Sequence, residues 1–152
     1  MIDYLVYFLV FVFAVYALYC GGFYWRQREL LFPLHALPEG NLAAIVESGG
    51  TLIPLKHSAG TCEIIYLTAQ QCSKRKPSPV VLVAHGNRNI MDDWALRVEP
   101  LRDAGFSVVL LEYPGYGRCD GEPSYDSIRE ATLNAYQWIE QQPELDSDNI
   151  SM

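Results

Sequence analysis

The chain has 152 residues and a mass of 17.2 kDa, which is enough for one domain of ordinary size. Half of the residues are apolar and 19% are charged, a balance that excludes a disordered or low-complexity chain. The net charge is −7 and no basic patch is evident, so the sequence predicts no nucleic-acid partner.

The first segment carries no charged side chain from Tyr4 to Trp25. As a helix, these residues would extend about 33 Å, enough to cross the hydrocarbon core of a bilayer. Its tyrosines and Trp25 fall mostly toward the two ends, where amphipathic rings favour the membrane interface. The sequence therefore predicts a transmembrane signal-anchor helix over residues 1–25, a single-pass membrane protein, and a lipid bilayer as partner of residues 4–25.

A cleaved signal peptide is the main alternative for this segment. It would begin with basic residues, whereas this chain begins with Asp3, and its apolar run would be shorter. Tyr19 is too bulky for a lipoprotein site at Cys20. Arg26 and Arg28 follow the helix and favour a cytoplasmic body, but two charges leave the side of the membrane open.

The residues after the helix predict a strap and then a domain. Residues 26–40 contain Pro33, Pro38 and Gly40 and are expected to be an extended juxtamembrane strap. Residues 41–152 form the predicted domain, opening with short strands at 42–47, 51–56 and 62–68. A polar loop follows, and its basic residues 74–76 are interpreted as a solvated turn.

Alternating strands and helices dominate the second half of the chain. The continuous apolar runs at 80–84 and 108–111 predict strands buried on both faces, and residues 149–152 begin another strand. Apolar stripes predict helices at 92–104 and 124–141. The predicted fold class is α/β: an antiparallel lead-in followed by parallel strand–helix–strand units.

Functional residues of such a sheet are expected where its parallel strands end. The first such end carries His85, Gly86, Asn87 and Arg88. Gly86 allows a tight turn whose amides could stabilise an oxyanion, and His85 is expected to brace the loop rather than act as a base. The second end carries a turn rich in glycine and proline, in which we single out Tyr113, Gly115, Tyr116 and Gly117.

Three segments resemble the first half of an α/β-hydrolase: VVLVAHGNRN, GFSVVLLEYPGYGRCDGEPS and AYQWIEQQPELDSDNI. The chain is most similar to the membrane-anchored hydrolases related to serine aminopeptidases and prolyl-oligopeptidase-like enzymes. The resemblance implies that the backbone N–H of Asn87 forms half of an oxyanion hole and that residues 115–117 shape its wall. It also implies that residues 80–84 lie beside the strand that begins at 149. Cys119 replaces the serine common in the family.

The resemblance implies a nucleophile on a Gly-x-Ser-x-Gly turn after that last strand, with Asp and His later in the chain. The sequence contains no such turn, and its histidines, His35, His57 and His85, suit no Ser-His-Asp set. We therefore expect a truncated serine hydrolase that is itself inactive and whose parent cleaves a small acyl or peptide substrate through an ester, thioester or peptide bond. The alternative is a short membrane-anchored protein with a non-catalytic binding or structural role. No metal or organic cofactor is implied.

Cysteine spacing adds one open question. Cys20, Cys62, Cys72 and Cys119 lack zinc-type spacing. A bridge between Cys62 and Cys72 would be possible in an exported body, and unpaired thiols are the favoured interpretation.

Overall fold

The computed structural model describes residues 2–70 and 76–152, which divide into two compact units, Met1–Pro33 and Leu34–Met152. The first unit contains the predicted membrane helix, and the second contains the predicted domain. Cys72 and most of the predicted basic turn at 74–76 lie outside the described residues.

The first unit is one helix, α1 (Ile2–Leu31), whose apolar side chains are exposed. Within Asp3–Leu31, the most apolar 18-residue window has a mean hydropathy of 2.1. Its length and composition suit a membrane span, and a signal sequence has the same properties. The expected extended strap is wrong for residues 26–31, because no proline or glycine stands between Trp25 and Pro33 to end the helix. A short 3-10 turn, Leu34–Ala36, follows.

The predicted strand at 42–47 is also wrong, because these residues form the helix α2 (Leu42–Glu47). The side chain of Asn41 accepts a hydrogen bond from the N–H of Ala44 at 3.1 Å and caps the helix. Two consecutive alanines favour helix over strand. The helix buries Ala44 and Ile45 and leaves Val46 exposed.

Five strands form one mixed sheet in the order β1-β2-β4-β3-β5. They are β1 (Thr51–His57), β2 (Gly60–Leu67), β3 (Ser78–Ala84), β4 (Ser107–Leu111) and β5 (Leu145–Ser151). β2 pairs antiparallel with β1 and β4, while β3 pairs parallel with β4 and β5. The antiparallel lead-in, the parallel units and the place of β5 beside β3 are all confirmed.

Helices cover both faces of this sheet, so the core has two layers. On one face, Ile64, Val80 and Leu82 pack against Ala131, Ala135 and Ile139. On the other face, Ile65, Leu67, Val108 and Leu110 pack against Ile45, Met91 and Val98. The alternation of faces along β2 and β4 follows from the period of two in a strand. Burial on both faces explains the uninterrupted apolar runs in β3 and β4.

The two predicted helices after β3 and β4 differ in outcome. The later one is confirmed as α4 (Tyr125–Glu140), which begins with a capping box between Ser124 and Ser127. The earlier one, predicted over 92–104, is wrong as a single helix. It divides into a 3-10 turn, Met91–Trp94, and the short α3 (Glu99–Asp103), because Pro100 has no N–H and is tolerated only in a first turn.

A disulfide joins Cys62 of β2 to Cys119, 57 positions later. The expectation of unpaired thiols is therefore wrong for these two residues, and the partner of Cys62 is not Cys72. β2 and β4 are neighbours, so the chain that leaves β4 passes the start of β2, where the N–H of Asp120 donates to the carbonyl of Thr61 at 3.0 Å. Cys20 is free and exposed on α1.

Candidate functional site

Two loops leave the carboxyl ends of neighbouring parallel strands and form the candidate site. The histidine loop (residues 85–90) follows β3, and the glycine-rich loop (residues 113–121) follows β4, with Glu112 joining it to the strand. Ala84 and Leu111 are register partners in the β3–β4 ladder, so the two loops begin side by side. This edge of a parallel sheet is where α/β folds bind their ligands.

A buried, hydrogen-bonded pair of side chains lies at the base of both loops. Nε2 of His85 is 2.5 Å from Oε1 of Glu112, and each side chain is only 1% exposed. The other ring nitrogen, Nδ1, lies 2.9 Å from the carbonyl oxygen of Gly86. The ring of His85 therefore links the Glu112 carboxylate to the backbone of its own loop.

Glu112 also accepts hydrogen bonds from two backbone amides. The N–H of Met91 donates to Oε2 and the N–H of Tyr113 donates to Oε1, each at 3.2 Å. A β-carbon built at Gly117 would lie 2.5 Å from Oε2, and the positive φ of 50° at Gly117 also favours glycine. The carboxylate is thus enclosed by the two loops.

Two tyrosines of the glycine-rich loop hold the carbonyl groups of the histidine loop. The hydroxyl of Tyr113 donates to the carbonyl of His85 at 2.8 Å, and that of Tyr116 donates to the carbonyl of Asn87 at 3.2 Å. Burial raises the pKa of both phenols, and the negative charge of Glu112 raises it further. Both hydroxyls therefore remain protonated donors at neutral pH.

The backbone of the histidine loop is open on the side of Gly86. Gly86 is exposed and has no positive φ, and a β-carbon built there would meet only Nδ2 of Asn89, at 3.8 Å. No neighbour within the described structure requires glycine at this position. The missing side chain leaves space for another molecule to approach the backbone.

An ion cluster around Arg118 holds the glycine-rich loop. The guanidinium of Arg118 donates two hydrogen bonds to Asp92, each at 2.9 Å, and one to Glu63 at 2.7 Å. Hydrogen bonding to Asp92 raises the pKa of Arg118. Asp92 also accepts the N–H of Asn41 at 2.7 Å. The cluster ties the glycine-rich loop to β2, to the turn after the histidine loop and to the start of α2.

Comparison with known proteins finds sequence relatives and structural neighbours of this chain. No family model matches the chain. An uncharacterized protein of Mycobacterium tuberculosis is 27% identical over 147 residues, which are 92% of this chain and 50% of that protein. The lysophosphatidylserine lipase ABHD12 of Danio rerio is 35% identical over 65 residues, 41% of this chain and 17% of the lipase. The chain thus spans half the length of the mycobacterial relative.

Comparison with solved structures identifies the fold. An α/β-hydrolase from Vibrio vulnificus superimposes with a TM-score of 0.54 at 21% identity, over 72% of this chain and 36% of that structure. The chain has a partial α/β-hydrolase fold.

Within this α/β-hydrolase fold, the structure brings the predicted site residues to one edge of the sheet. His85, Tyr113 and Tyr116 cluster, with ring centroids 4.2 Å apart for His85 and Tyr113 and 5.7 Å apart for the two tyrosines. Asn87 and Arg88 are exposed beside Gly86. A β-carbon built at Gly115, whose φ is 81°, would lie 2.8 Å from Pro123 and 3.1 Å from Gly121. The oxyanion role of Asn87 and the pocket role of residues 115–117 stay predictions.

The remaining candidates of the sequence lie elsewhere in the α/β-hydrolase body. Ser107, the serine of the GFSVV segment, is buried in β4, and its hydroxyl lies 2.6 Å from that of Ser78. His57 ends β1, and its Nδ1 accepts the N–H of Ala59 at 3.2 Å. Among residues 2–70 and 76–152, no group of three or more His, Cys, Asp or Glu side chains is arranged to hold a metal ion.

Sequence reasoning misses two features of the site. Glu112 follows an apolar strand without any motif of its own, although a carboxylate next to a doubly buried strand needs partners and thereby signals a site. Arg118 stands out in the sequence only as a member of the loop motif. Its ion pairs join residues 26 and 55 positions away, which no local pattern reveals.

Proposed function

We propose that this chain forms the oxyanion-stabilising part of a membrane-anchored serine hydrolase. The proposal rests on the environment of the peptide group between Gly86 and Asn87. Its surrounding loop is held by His85, Glu112, Tyr113 and Tyr116, and its glycine faces open space. A backbone amide fixed in this way is suited to bind the charge that develops on a carbonyl oxygen under attack.

The proposal assigns the remaining chemistry to other parts of the full protein. A serine nucleophile and its base are needed for acyl transfer, and a second donor normally follows the nucleophile. The place of β5 beside β3 supports a nucleophile turn after β5, as the resemblance implies. Coverage of half of the mycobacterial relative supports a longer parent protein. Residues 1–152 by themselves are then inactive.

An ester of a membrane lipid is the substrate class that we favour. The local similarity to a lysophosphatidylserine lipase supports an acyl ester, and the apolar helix α1 supports placement at a bilayer. Thioesters and peptides are the other acyl compounds that the same oxyanion chemistry serves.

The experiment compares residues 1–152 with the longer product of the same coding region. We expect no fluorophosphonate labelling and no p-nitrophenyl ester hydrolysis by residues 1–152, and labelling of one serine in the longer product. Labelling of residues 1–152 at any serine, or an unlabelled and inactive longer product, would contradict the proposal. The second outcome would favour the non-catalytic alternative.

Gly86→Ala in the longer product tests the role of the open backbone. The added methyl group meets only an ordinary contact at 3.8 Å, so the free energy of unfolding should be nearly unchanged. It fills the space that a substrate would use, and we expect kcat/KM to fall by about tenfold or more. Unchanged hydrolysis at unchanged stability would place the substrate elsewhere.

The membrane part of the proposal has its own test. The chain should remain in the membrane fraction through an alkaline carbonate wash. Phe11→Arg should weaken insertion by about 2.5–3.5 kcal/mol, because it places a charge near the middle of the apolar run. A soluble product that starts near Cys20 or Gly21 would identify α1 as a cleaved signal sequence instead.

A further inference from the structure

The buried pair of His85 and Glu112 has no reacting role in the chemistry proposed above. It nevertheless reaches the peptide that this chemistry needs, because Nδ1 of His85 lies 2.9 Å from the carbonyl oxygen of Gly86. The N–H of Asn87 belongs to the same peptide group as that carbonyl, and in a trans peptide it points the opposite way. Whatever fixes the Gly86 carbonyl therefore also aims the Asn87 N–H.

The contacts of the pair favour one arrangement of its protons. A carbonyl oxygen has no hydrogen to donate, so Nδ1 of His85 must carry one. Glu112 already accepts the N–H groups of Met91 and Tyr113, and these bonds favour an ionised carboxylate. Nε2, 2.5 Å from Oε1 of that carboxylate, is then a donor as well.

We propose that Glu112 holds His85 as an imidazolium, and that this pair positions and polarises the Gly86–Asn87 peptide so that the Asn87 N–H faces the oxyanion. Glu112 and His85 are positioning residues, since neither touches the reacting atoms. The catalytic part of this inference rests on the proposed function, while the protonation of the ring does not.

Two effects follow from the hydrogen bonds on the Gly86 carbonyl. That oxygen accepts from Nδ1 of His85 and from the N–H of Asn89 at 3.1 Å, and two donors fix the plane of the peptide. They also draw electron density toward the oxygen, which makes the N–H of the same peptide a stronger donor. The phenols of Tyr113 and Tyr116 hold the adjacent carbonyls, so rotation of the peptide is restricted on both sides.

The protonation state is tested on the chain as it stands, in detergent micelles at neutral pH. Nitrogen NMR of histidine-labelled protein should show a directly bonded hydrogen on both ring nitrogens of His85. His35→Gln and His57→Gln variants assign the signals of the other two histidines. A ring nitrogen of His85 without hydrogen overturns the inference, and no variant of the pair is needed for this result.

The positioning role is tested by Glu112→Gln in the longer, active product. The glutamine side chain keeps the shape of glutamate but has no negative charge to stabilise the His85 imidazolium. We therefore expect kcat to fall by about tenfold while KM changes less than twofold. The matched control is Glu63→Gln, which removes a carboxylate from Arg118 without contacting the histidine loop.

The outcomes separate the two proposals. An equal loss of kcat in Glu112→Gln and Glu63→Gln would mean that general loosening of the site is responsible, and it would overturn the positioning role. An unchanged kcat in a folded Glu112→Gln protein would overturn it as well. An inactive longer wild-type product would instead contradict the proposed function, and the NMR result would still decide the protonation state.

The disulfide carries a second, independent inference. Cys62 and Cys119 are buried, and the bridge joins β2 to the glycine-rich loop within the body. Stable disulfides form in oxidising compartments and are rare in a reducing cytosol. We infer that the body folds in an oxidising compartment, which opposes the cytoplasmic side favoured by Arg26 and Arg28. Two flanking charges give a weaker signal than a buried covalent bond.

Thiol trapping in the native membrane tests this second inference. A Cys20→Ser, Cys72→Ser background leaves only Cys62 and Cys119. After acid quenching and denaturation, a maleimide-polyethylene glycol should add to neither thiol before reduction and to both after reduction. Addition to both before reduction would overturn the inference.

Discussion

The glycine-rich loop and the histidine loop differ in how they are held. The glycine-rich loop is anchored to β2 by the Cys62–Cys119 disulfide, by Arg118 and by Asp120, whose carboxylate accepts the N–H of Thr61 at 2.9 Å. The side-chain contacts of the histidine loop described above come from Glu112, Tyr113 and Tyr116. One loop is fixed to the sheet, and the other is fixed to the first loop. The difference implies an order of dependence, in which damage to the glycine-rich loop loosens the candidate oxyanion amide but the reverse does not hold.

Cys119→Ser should have the largest effect on this arrangement. The bridge closes a segment of 57 residues, and its loss should lower the free energy of unfolding by about 4 kcal/mol. Urea denaturation of the full chain in detergent measures the change. Cys20→Ser is the control, because that thiol is free and exposed. An effect below about 1 kcal/mol would mean that the bridge is not a main anchor.

Arg118→Ala should have the next largest effect and lower the free energy of unfolding by about 3 kcal/mol. The substitution leaves the fully buried carboxylate of Asp92 without its charged partner, and an uncompensated buried charge is costly. The exposed Arg129 provides the matched control Arg129→Ala, for which we expect little change. Similar denaturation curves for the two variants would show that the ion cluster contributes nothing to the anchoring.

Tyr116→Phe should produce a smaller and more local effect. It removes one hydrogen bond to the Asn87 carbonyl, worth about 1 kcal/mol, and keeps the buried ring. Amide hydrogen exchange should accelerate in the histidine loop and not in the glycine-rich loop. Tyr136→Phe is the control on α4. Faster exchange in both loops would contradict the order of dependence.

The smallest expected effect is a pH-dependent loosening of the turn between β1 and β2. This turn is next to β2, the strand that anchors the glycine-rich loop. Hydrogen bonds from the hydroxyl and N–H of Ser58 lower the pKa of Glu130 below its ordinary value of 4.5. A lowered folded-state pKa stabilises the protein above the unfolded-state pKa, and this contribution is lost as the pH falls through the folded value. Protection of the Ser58 amide, measured relative to its intrinsic exchange rate at each pH, should therefore fall below pH 4.5 in the wild type, but show no such step in Glu130→Gln.

The sequence was sufficient to predict the parts of the fold that depend on long apolar patterns. The runs in β3 and β4 and the stripe on α4 are local signals, and the order of strands and helices then implies the parallel units. α2 escapes prediction because six residues with mostly apolar side chains also satisfy a strand pattern, and only the Asn41 cap and the two alanines favour a helix. Pro100 is visible in the sequence, and its position argues against one continuous helix over 92–104.

The candidate site is predictable as two loops, but not as a network. Gly86 and the glycines of the second loop mark turns that a local pattern reveals. The contacts of Glu112 with His85, and of Cys119 with Cys62, depend on the register between strands, which brings together residues 27 and 57 positions apart. No periodicity encodes such pairs, so only the structure reveals them.

Gly86 and Gly117 lead to opposite expectations for a mutational scan that records abundance and activity separately. A side chain at 117 would collide with the buried Glu112 carboxylate, whereas one at 86 would extend into open space. Substitutions at 117 should therefore deplete the protein from cells. Alanine at 86 should leave its amount unchanged and reduce only turnover in the active parent. The two glycines look alike in the sequence, but Gly117 would then be required for folding and Gly86 for catalysis.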